Sequence, residues 1–136
     1  DSTVLNFMNK IIVEVSIGEL LDKISILEIK QEKIKDSEKL KFINNEYSIL
    51  KDQLEKNIKS DDNLNNLYQS LKEINAKLWV IEDDKRQCEK EKDFGEKFIK
   101  LSRDVHFLND DRAKIKLEIN NHTGSVIKEI KEYTSY

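Results

Sequence analysis

Residues 78–116 decide the fold and read LWVIEDDKRQCEKEKDFGEKFIKLSRDVHFLNDDRAKIK. An apolar series in strict 3,4 alternation enters this stretch, namely Leu64, Leu67, Leu71, Ile74, Leu78 and Ile81. A second series leaves it, namely Phe98, Leu101, Val105, Leu108, Ile115 and Ile119. Between them, Asp93-Phe94-Gly95-Glu96 has the spacing of a capping box, which marks the start of a helix. Two apolar seams of about 25 residues with so short a connection predict an antiparallel helical hairpin that folds at Phe94.

Two further helices are predicted before the hairpin. Ser16 and Glu19 have the spacing of a capping box, and an apolar stripe follows them through Ile17, Leu20, Leu21, Ile24 and Leu27. A second stripe runs through Leu40, Ile43, Tyr47, Leu50 and Leu54. Because the six-residue step from Ile34 to Leu40 rotates the apolar face by roughly 120° out of register, we place a break near residues 35–37, where Asp36 can cap the next helix.

The sequence therefore predicts an all-α fold, an elongated antiparallel helical hairpin or bundle of about four helices with coiled-coil-like packing. The first two helices either pack along the hairpin or form a second hairpin. We expect one helical domain over residues 1–136, with helices at 16–35, 37–58, 62–92 and 94–121.

The two ends of the chain are less regular. Residues 11–15, IIVEV, are β-branched and too few for a helix, so they form a short strand, an extended arm or a segment paired with a partner chain. We expect residues 1–10 to be extended or flexible, with Met8 as the natural start and residues 1–7, DSTVLNF, as an addition to the native protein. After Gly124, the sequence SVIKEIKEY favours a short helix over a second strand.

The charge composition argues against several classes of protein. Charged residues make up 38% of the chain, both signs are interspersed, and the formal net charge is −3. Without a basic block to release counterions, we do not expect nucleic-acid binding. No apolar run is long enough to span a bilayer and no signal peptide is visible. The single cysteine, Cys88, fits a reducing compartment, so we expect a cytoplasmic protein that does not bind membranes.

The hairpin holds the residues that indicate a site. Aligning its helices about Phe94 places Glu82 level with His106 and Lys85 level with Arg103. All three arginines of this lysine-rich chain lie here, and arginine binds carboxylate or phosphate through a planar fork. The candidate anion-binding or polar cluster comprises Trp79, Glu82, Arg86, Arg103, His106, Asp110 and Arg112.

Two interpretations of this cluster stay open. In one, it is a ladder of ion pairs that each contribute roughly 0–1 kcal/mol, and Arg112 lays its methylenes on the seam while its charge reaches solvent. In the other, Arg86 and Arg103 hold a phosphate or carboxylate beside Trp79 and His106. The spacing of His, Cys and acidic residues predicts no metal site, no cofactor and no catalytic residue.

The chain resembles a family of short bacterial proteins that is described only as a domain of unknown function. The stretches that carry the resemblance are VEVSIGELLDKISILEIKQEKI, LWVIEDDKR, DFGEKFIKLSRDVHFLNDDRAKIKLEIN and GSVIKEIKEY. They cover nearly everything from Ile11 onward, and VSIGELLDKISILEIK is the most specific of them. The chain departs from the family pattern at His106-Phe107, where the resemblance implies a residue such as Tyr. The resemblance supplies no activity and no functional residues.

From these patterns we expect a non-catalytic helical protein that acts through self-association or through binding another protein, with a homodimer favoured. Long apolar seams and the apolar segment at residues 11–15 are the reason, because pairing would bury the faces that a narrow hairpin leaves open. The alternative is a binding protein or enzyme for a small anion, such as a phosphate, nucleotide-sugar or carboxylate, that uses the arginine, histidine and tryptophan side chains of the hairpin.

Overall fold

The computed structural model of the chain describes residues 9–136. It contains four helices: α1 at Ile17–Lys33, α2 at Ser37–Asn57, α3 at Asp62–Glu91 and α4 at Glu96–Thr123. The described residues form no strand, so the predicted all-α fold is confirmed. None of the helices is both long and apolar enough to cross a membrane, as judged over the described residues. The expectations for residues 1–8, including a natural start at Met8, lie outside the described part of the chain.

Side-chain caps define where the first three helices begin. Ser16 Oγ accepts a hydrogen bond from the main-chain nitrogen of Glu19 at 3.1 Å. Asp36 and Asp61 cap α2 and α3 in the same way, at 2.9 Å and 2.7 Å. These caps satisfy amides that have no partner inside the helix.

The turn between α3 and α4 differs in one detail from the predicted capping box. The N-cap residue of α4 is Gly95, which offers no side-chain acceptor. Asp93 instead accepts from the main-chain nitrogen of Gly95 at 3.1 Å, inside the turn. The C-cap residue of α3 is Lys92, whose φ of 55° lies in the left-handed region. The left-handed conformation of Lys92 and the hydrogen bond from Gly95 to Asp93 therefore form this turn, and no side chain caps α4.

α3 and α4 form the predicted antiparallel pair. Lys85 Nζ lies 5.9 Å from the centre of the Phe98 ring near the turn. At the opposite end of the pair, His122 Nδ1 lies 3.1 Å from Asn63 Nδ2. α1 contacts all three other helices and therefore lies at the centre of the bundle.

The apolar core lies where α1 meets the hairpin. Leu21 from α1, Leu64 and Leu71 from α3, and Ile119 from α4 form its buried centre. The partly buried side chains around it are Ile17, Leu54, Ile58, Leu67, Tyr68 and Ile115. Leu54 in the last turn of α2 packs against this core, and Ile43 is the only buried residue of α2. α2 is thus the least embedded of the helices.

The prediction of a short helix after Gly124 is wrong, because residues 125–136 form no helix. Gly124 takes a φ of 67° and closes α4, and its main-chain nitrogen donates to the carbonyl oxygen of Asn120. The segment then returns along α4, where Glu129 pairs with Lys116 at 3.3 Å and the Tyr136 hydroxyl donates to Asp110. A helix of nine mostly exposed residues has too few hydrogen bonds to offset its nucleation cost.

Candidate functional site

The polar centre of the molecule is Asp22 on α1, whose side chain is only 2% exposed. Arg112 of α4 donates to both carboxylate oxygens, with Nε at 3.0 Å from Oδ1. Asn75 of α3 donates from Nδ2 to Asp22 Oδ1 and to Ser25 Oγ, both at 2.8 Å. Three helices therefore meet at one buried carboxylate, and we call Asp22, Ser25, Asn75, Arg112 and Lys116 the Asp22 network.

The negative charge of Asp22 is neutralised by the positively charged side chains that contact it. Burial by itself raises the pKa of Asp22, but hydrogen bonds from Arg112 and Asn75 outweigh it and hold that pKa below its ordinary value. The hydrogen bond to Asp22 raises the pKa of Arg112. Asp22 is therefore ionised at neutral pH, and its charge is offset by the arginine.

Lys116 connects the network to the edge of the bundle. Its Nζ lies 2.6 Å from Glu19 Oε2, 3.5 Å from Asp22 Oδ2 and 3.3 Å from Glu129 Oε2. Burial by itself lowers the pKa of Lys116, but the hydrogen bond to Glu19 and the surrounding carboxylates raise it. Lys116 is consequently a charged residue that ties α1, α4 and the C-terminal segment together.

Gly18 lets α1 and α4 approach closely beside Lys116. Its main-chain nitrogen donates to Asn120 Oδ1 at 2.7 Å. A Cβ built on Gly18 would lie 2.6 Å from the carbonyl oxygen of Lys116 and 2.9 Å from Asn120 Oδ1. Only glycine therefore fits here without a backbone shift.

Four residues of the predicted cluster line one cavity. This three-helix cavity has a volume of about 450 Å³ and is lined by Ile26, Asn75, Leu78, Trp79, Glu82, Asp83, Arg86 and Arg112. Arg86 Nη1 lies 3.2 Å from Glu82 Oε2, an i,i+4 pair on the surface. Each guanidinium group at the cavity therefore already contacts a carboxylate.

The other three members, Arg103, His106 and Asp110, lie elsewhere. The Arg103 guanidinium is 5.8 Å from the centre of the Phe107 ring, and the His106 ring centre is 4.3 Å from that of Phe107. Asp110 accepts from the hydroxyl of Tyr136. Arg103 and Arg112 are nine residues apart, which places them roughly 180° apart around α4. The structure thus divides the predicted cluster between two faces of the hairpin.

The second histidine connects the far ends of the hairpin helices. His122 Nε2 lies 2.8 Å from Asp61 Oδ2, and Asp61 is also the N-cap of α3. The hydrogen bond from the main-chain nitrogen of Leu64, together with that from His122, lowers the pKa of Asp61. This contact is a cap at the protein surface, and nothing in it provides a nucleophile or a base paired with one.

Residues 9–136 contain no group of three or more His, Cys, Asp or Glu side chains arranged to hold a metal ion. Cys88 is buried and has no disulfide partner. Within the described chain, the Asp22 network leaves no buried side-chain nitrogen or oxygen without a hydrogen bond. The hydrogen bonds of the Asp22 network fix the relative positions of α1, α3 and α4.

The sequence prediction missed four of the five members of the Asp22 network, naming only Arg112. Asn75 and Asp22 carry no clear signal in the sequence, because each lies beside the apolar stripe of its helix, next to Ile74 and Leu21 respectively, rather than on it.

A family model described as a family of unknown function (DUF6165) matches residues 11–136. The chain therefore belongs to that family. No curated protein and no solved structure matches it.

Proposed function

We propose that this member of the DUF6165 family acts without catalysis, by associating with a second copy of itself. The observation that supports the proposal is the distribution of large apolar side chains over residues 9–136. Sixteen of them are exposed, whereas the buried core contains ten apolar side chains. Because monomeric proteins rarely expose extensive contiguous apolar surface, we expect a partner molecule to cover part of it.

The exposed apolar side chains are concentrated outside the helices. Nine of the sixteen lie in residues 11–15 and 126–136. The main-chain nitrogen of Ile17 donates to Ser125 Oγ at 3.1 Å, so the two segments start side by side at one end of the bundle. Association at this end would bury apolar surface that the fold leaves open.

Charge pairing disfavours the anion-binding alternative. In the three-helix cavity, Arg112 is held by the buried Asp22 and Arg86 by Glu82, while Asp83 adds another negative charge. A bound phosphate or carboxylate would have to compete with these carboxylates. Removing the arginine from Asp22 would also leave a buried charge without its partner, which costs several kcal/mol.

The molar mass in solution tests the proposal. Light scattering after size-exclusion chromatography, at tens of micromolar chain, should give about 32 kDa, twice the 16.1 kDa of one chain. Dilution should shift the mass toward the monomer, because association follows mass action. A compact species that stays at 16.1 kDa over the whole concentration range would contradict self-association.

A further inference from the structure

Residues 10–15, which we call the N-terminal arm, have an unusual combination of properties. They read KIIVEV and form neither helix nor strand. Ile11 is 92% exposed and Ile12 is 89% exposed. None of the arm residues has a positive φ, so the backbone is compatible with an extended strand. The arm is thus a mainly apolar segment whose side chains are exposed where it precedes the bundle.

The main chain of the arm makes no hydrogen bond to another part of the described chain. Within residues 9–136, no backbone hydrogen bond involves residues 11–15. β-branched residues favour the pleated, half-buried surface of a sheet, and an extended segment with free amides and carbonyls is a template for strand pairing. The arm therefore has the residue types of a β-strand and a main chain that can adopt that conformation.

The order of charges within the arm favours a second copy of the same arm as the partner strand. In an antiparallel pair centred on Ile12, each Lys10 lies opposite Glu14 of the other copy, and each Ile11 lies opposite Val13. All opposite charges then meet, and apolar side chains meet apolar side chains. A two-fold axis through Ile12 makes the same contacts twice, as an isologous dimer requires.

We infer that two copies of the chain dimerise by antiparallel pairing of their N-terminal arms about Ile12. This inference rests on the proposed self-association and specifies the surface that performs it.

The bundles do not obstruct this pairing. Ser16 is four residues from Ile12, so the two Ser16 residues would be about 26 Å apart at roughly 3.3 Å per residue. Two helical bundles fit on opposite sides of a ribbon of that length. Alternation along the strand places Ile11, Val13 and Val15 on one face. The exposed Val126, next to the contact between Ser125 and Ile17, supplies apolar surface beside that face.

Charge reversal tests the register of the pairing. Lys10→Glu or Glu14→Lys alone places like charges opposite each other at two positions, which should raise the dimer dissociation constant about tenfold. The double variant Lys10→Glu/Glu14→Lys restores the opposite pairs and should return the dissociation constant to that of the wild type. Both side chains are exposed, so the circular dichroism and urea midpoint of the monomer should not change. Lys35→Glu, which reverses the charge of an exposed lysine in the loop between α1 and α2, is the matched control.

A cysteine cross-link tests the symmetry axis. Ile12→Cys places a thiol opposite its own copy, at a separation that a disulfide can bridge. Mild oxidation should therefore convert this variant to a covalent dimer. Lys10→Cys alone should not cross-link, because residue 10 lies opposite residue 14 and is about 14 Å from its own copy. The wild type controls for Cys88, which is buried.

The outcomes separate this inference from the proposed function. A wild-type dimer with rescue by the double charge reversal and a cross-link at Ile12→Cys supports arm pairing. A wild-type dimer that is insensitive to both charge reversals and does not cross-link overturns arm pairing and leaves self-association standing. A wild type that remains monomeric overturns both.

Discussion

Replacing Asp22 with Asn tests whether the Asp22 network holds the three helices together. The substitution keeps the shape of the side chain and removes its charge. Arg112 then loses its carboxylate partner, because the new amide offers one neutral oxygen acceptor in place of two charged ones, and the next acceptor is Asn109 Oδ1 at 3.4 Å. Breaking a buried ion pair from one side costs about 3–5 kcal/mol. Because Arg112 is 29% exposed and Lys116 retains Glu19, we expect the lower end, about 3 kcal/mol.

Urea unfolding followed by circular dichroism, at one protein concentration, measures this loss. A decrease of about 3 kcal/mol should also lower the melting temperature by roughly 10 °C in a domain of this size. Glu82→Gln is the matched control, because it neutralises a carboxylate whose Arg86 partner is 75% exposed. We expect that control to change the unfolding free energy by no more than about 0.5 kcal/mol.

A double-mutant cycle with Arg112→Gln isolates the ion pair from other effects. The two substitutions should couple by at least about 1 kcal/mol, because each removes the same interaction. Should Asp22→Asn cost no more than the Glu82→Gln control, or should the two effects simply add, the assignment of Asp22 as the organising centre is wrong.

Three further predictions concern the same region. Gly18→Ala should destabilise the fold by about 1–3 kcal/mol in urea unfolding, because its Cβ would meet the Lys116 carbonyl, whereas Gly95→Ala, with its nearest atom at 3.4 Å, should change little. The folded-state pKa of Asp22 lies below its unfolded value, so its stabilisation is present above that unfolded value and is lost as pH falls through the folded pKa. The urea midpoint should therefore fall as the pH is lowered below the ordinary titration range of an aspartate, about pH 4, and it should fall less in Asp22→Asn. Millimolar inorganic phosphate should leave the melting temperature unchanged, since the cavity arginines are paired, and a clear rise would revive the anion-binding alternative.

The helices could be predicted from the sequence because each presents an apolar stripe with a polar cap before it. The caps at Ser16, Asp36 and Asp61 are local features, since the accepting side chain and the donating amide are three residues apart. The antiparallel hairpin followed from two long seams and a four-residue connection. These parts of the fold depend on residues that are close together in the sequence, so they can be predicted from one sequence alone.

The Asp22 network could not be predicted because it depends on which helix faces lie together. Asp22 and Arg112 are 90 positions apart, and their contact exists only because α1 lies at the centre of the bundle. Arg103 and Arg112 fall in one predicted cluster because both lie on the second helix of the hairpin. Their rotation around α4 separates them, and it places one at the buried centre and the other beside Phe107.

The C-terminal segment is a case in which the local sequence pattern predicted a helix that does not form. Its sequence permits a short helix, but contacts with Lys116 and Asp110 hold it along α4. Such tertiary contacts override a weak local preference. The N-terminal arm has no comparable contacts among the described residues, which is why its pattern of charges is the informative feature.

Hydrogen exchange of the arm amides at rising protein concentration tests the central claim most directly. In a dilute monomer, the amides of residues 10–15 should exchange at the rate of an unstructured peptide. As the dimer forms, every second amide of the arm should become protected, because alternate residues of an antiparallel strand hydrogen-bond to the partner strand. Arm amides that stay unprotected at concentrations where the mass is that of a dimer would contradict pairing through the arms.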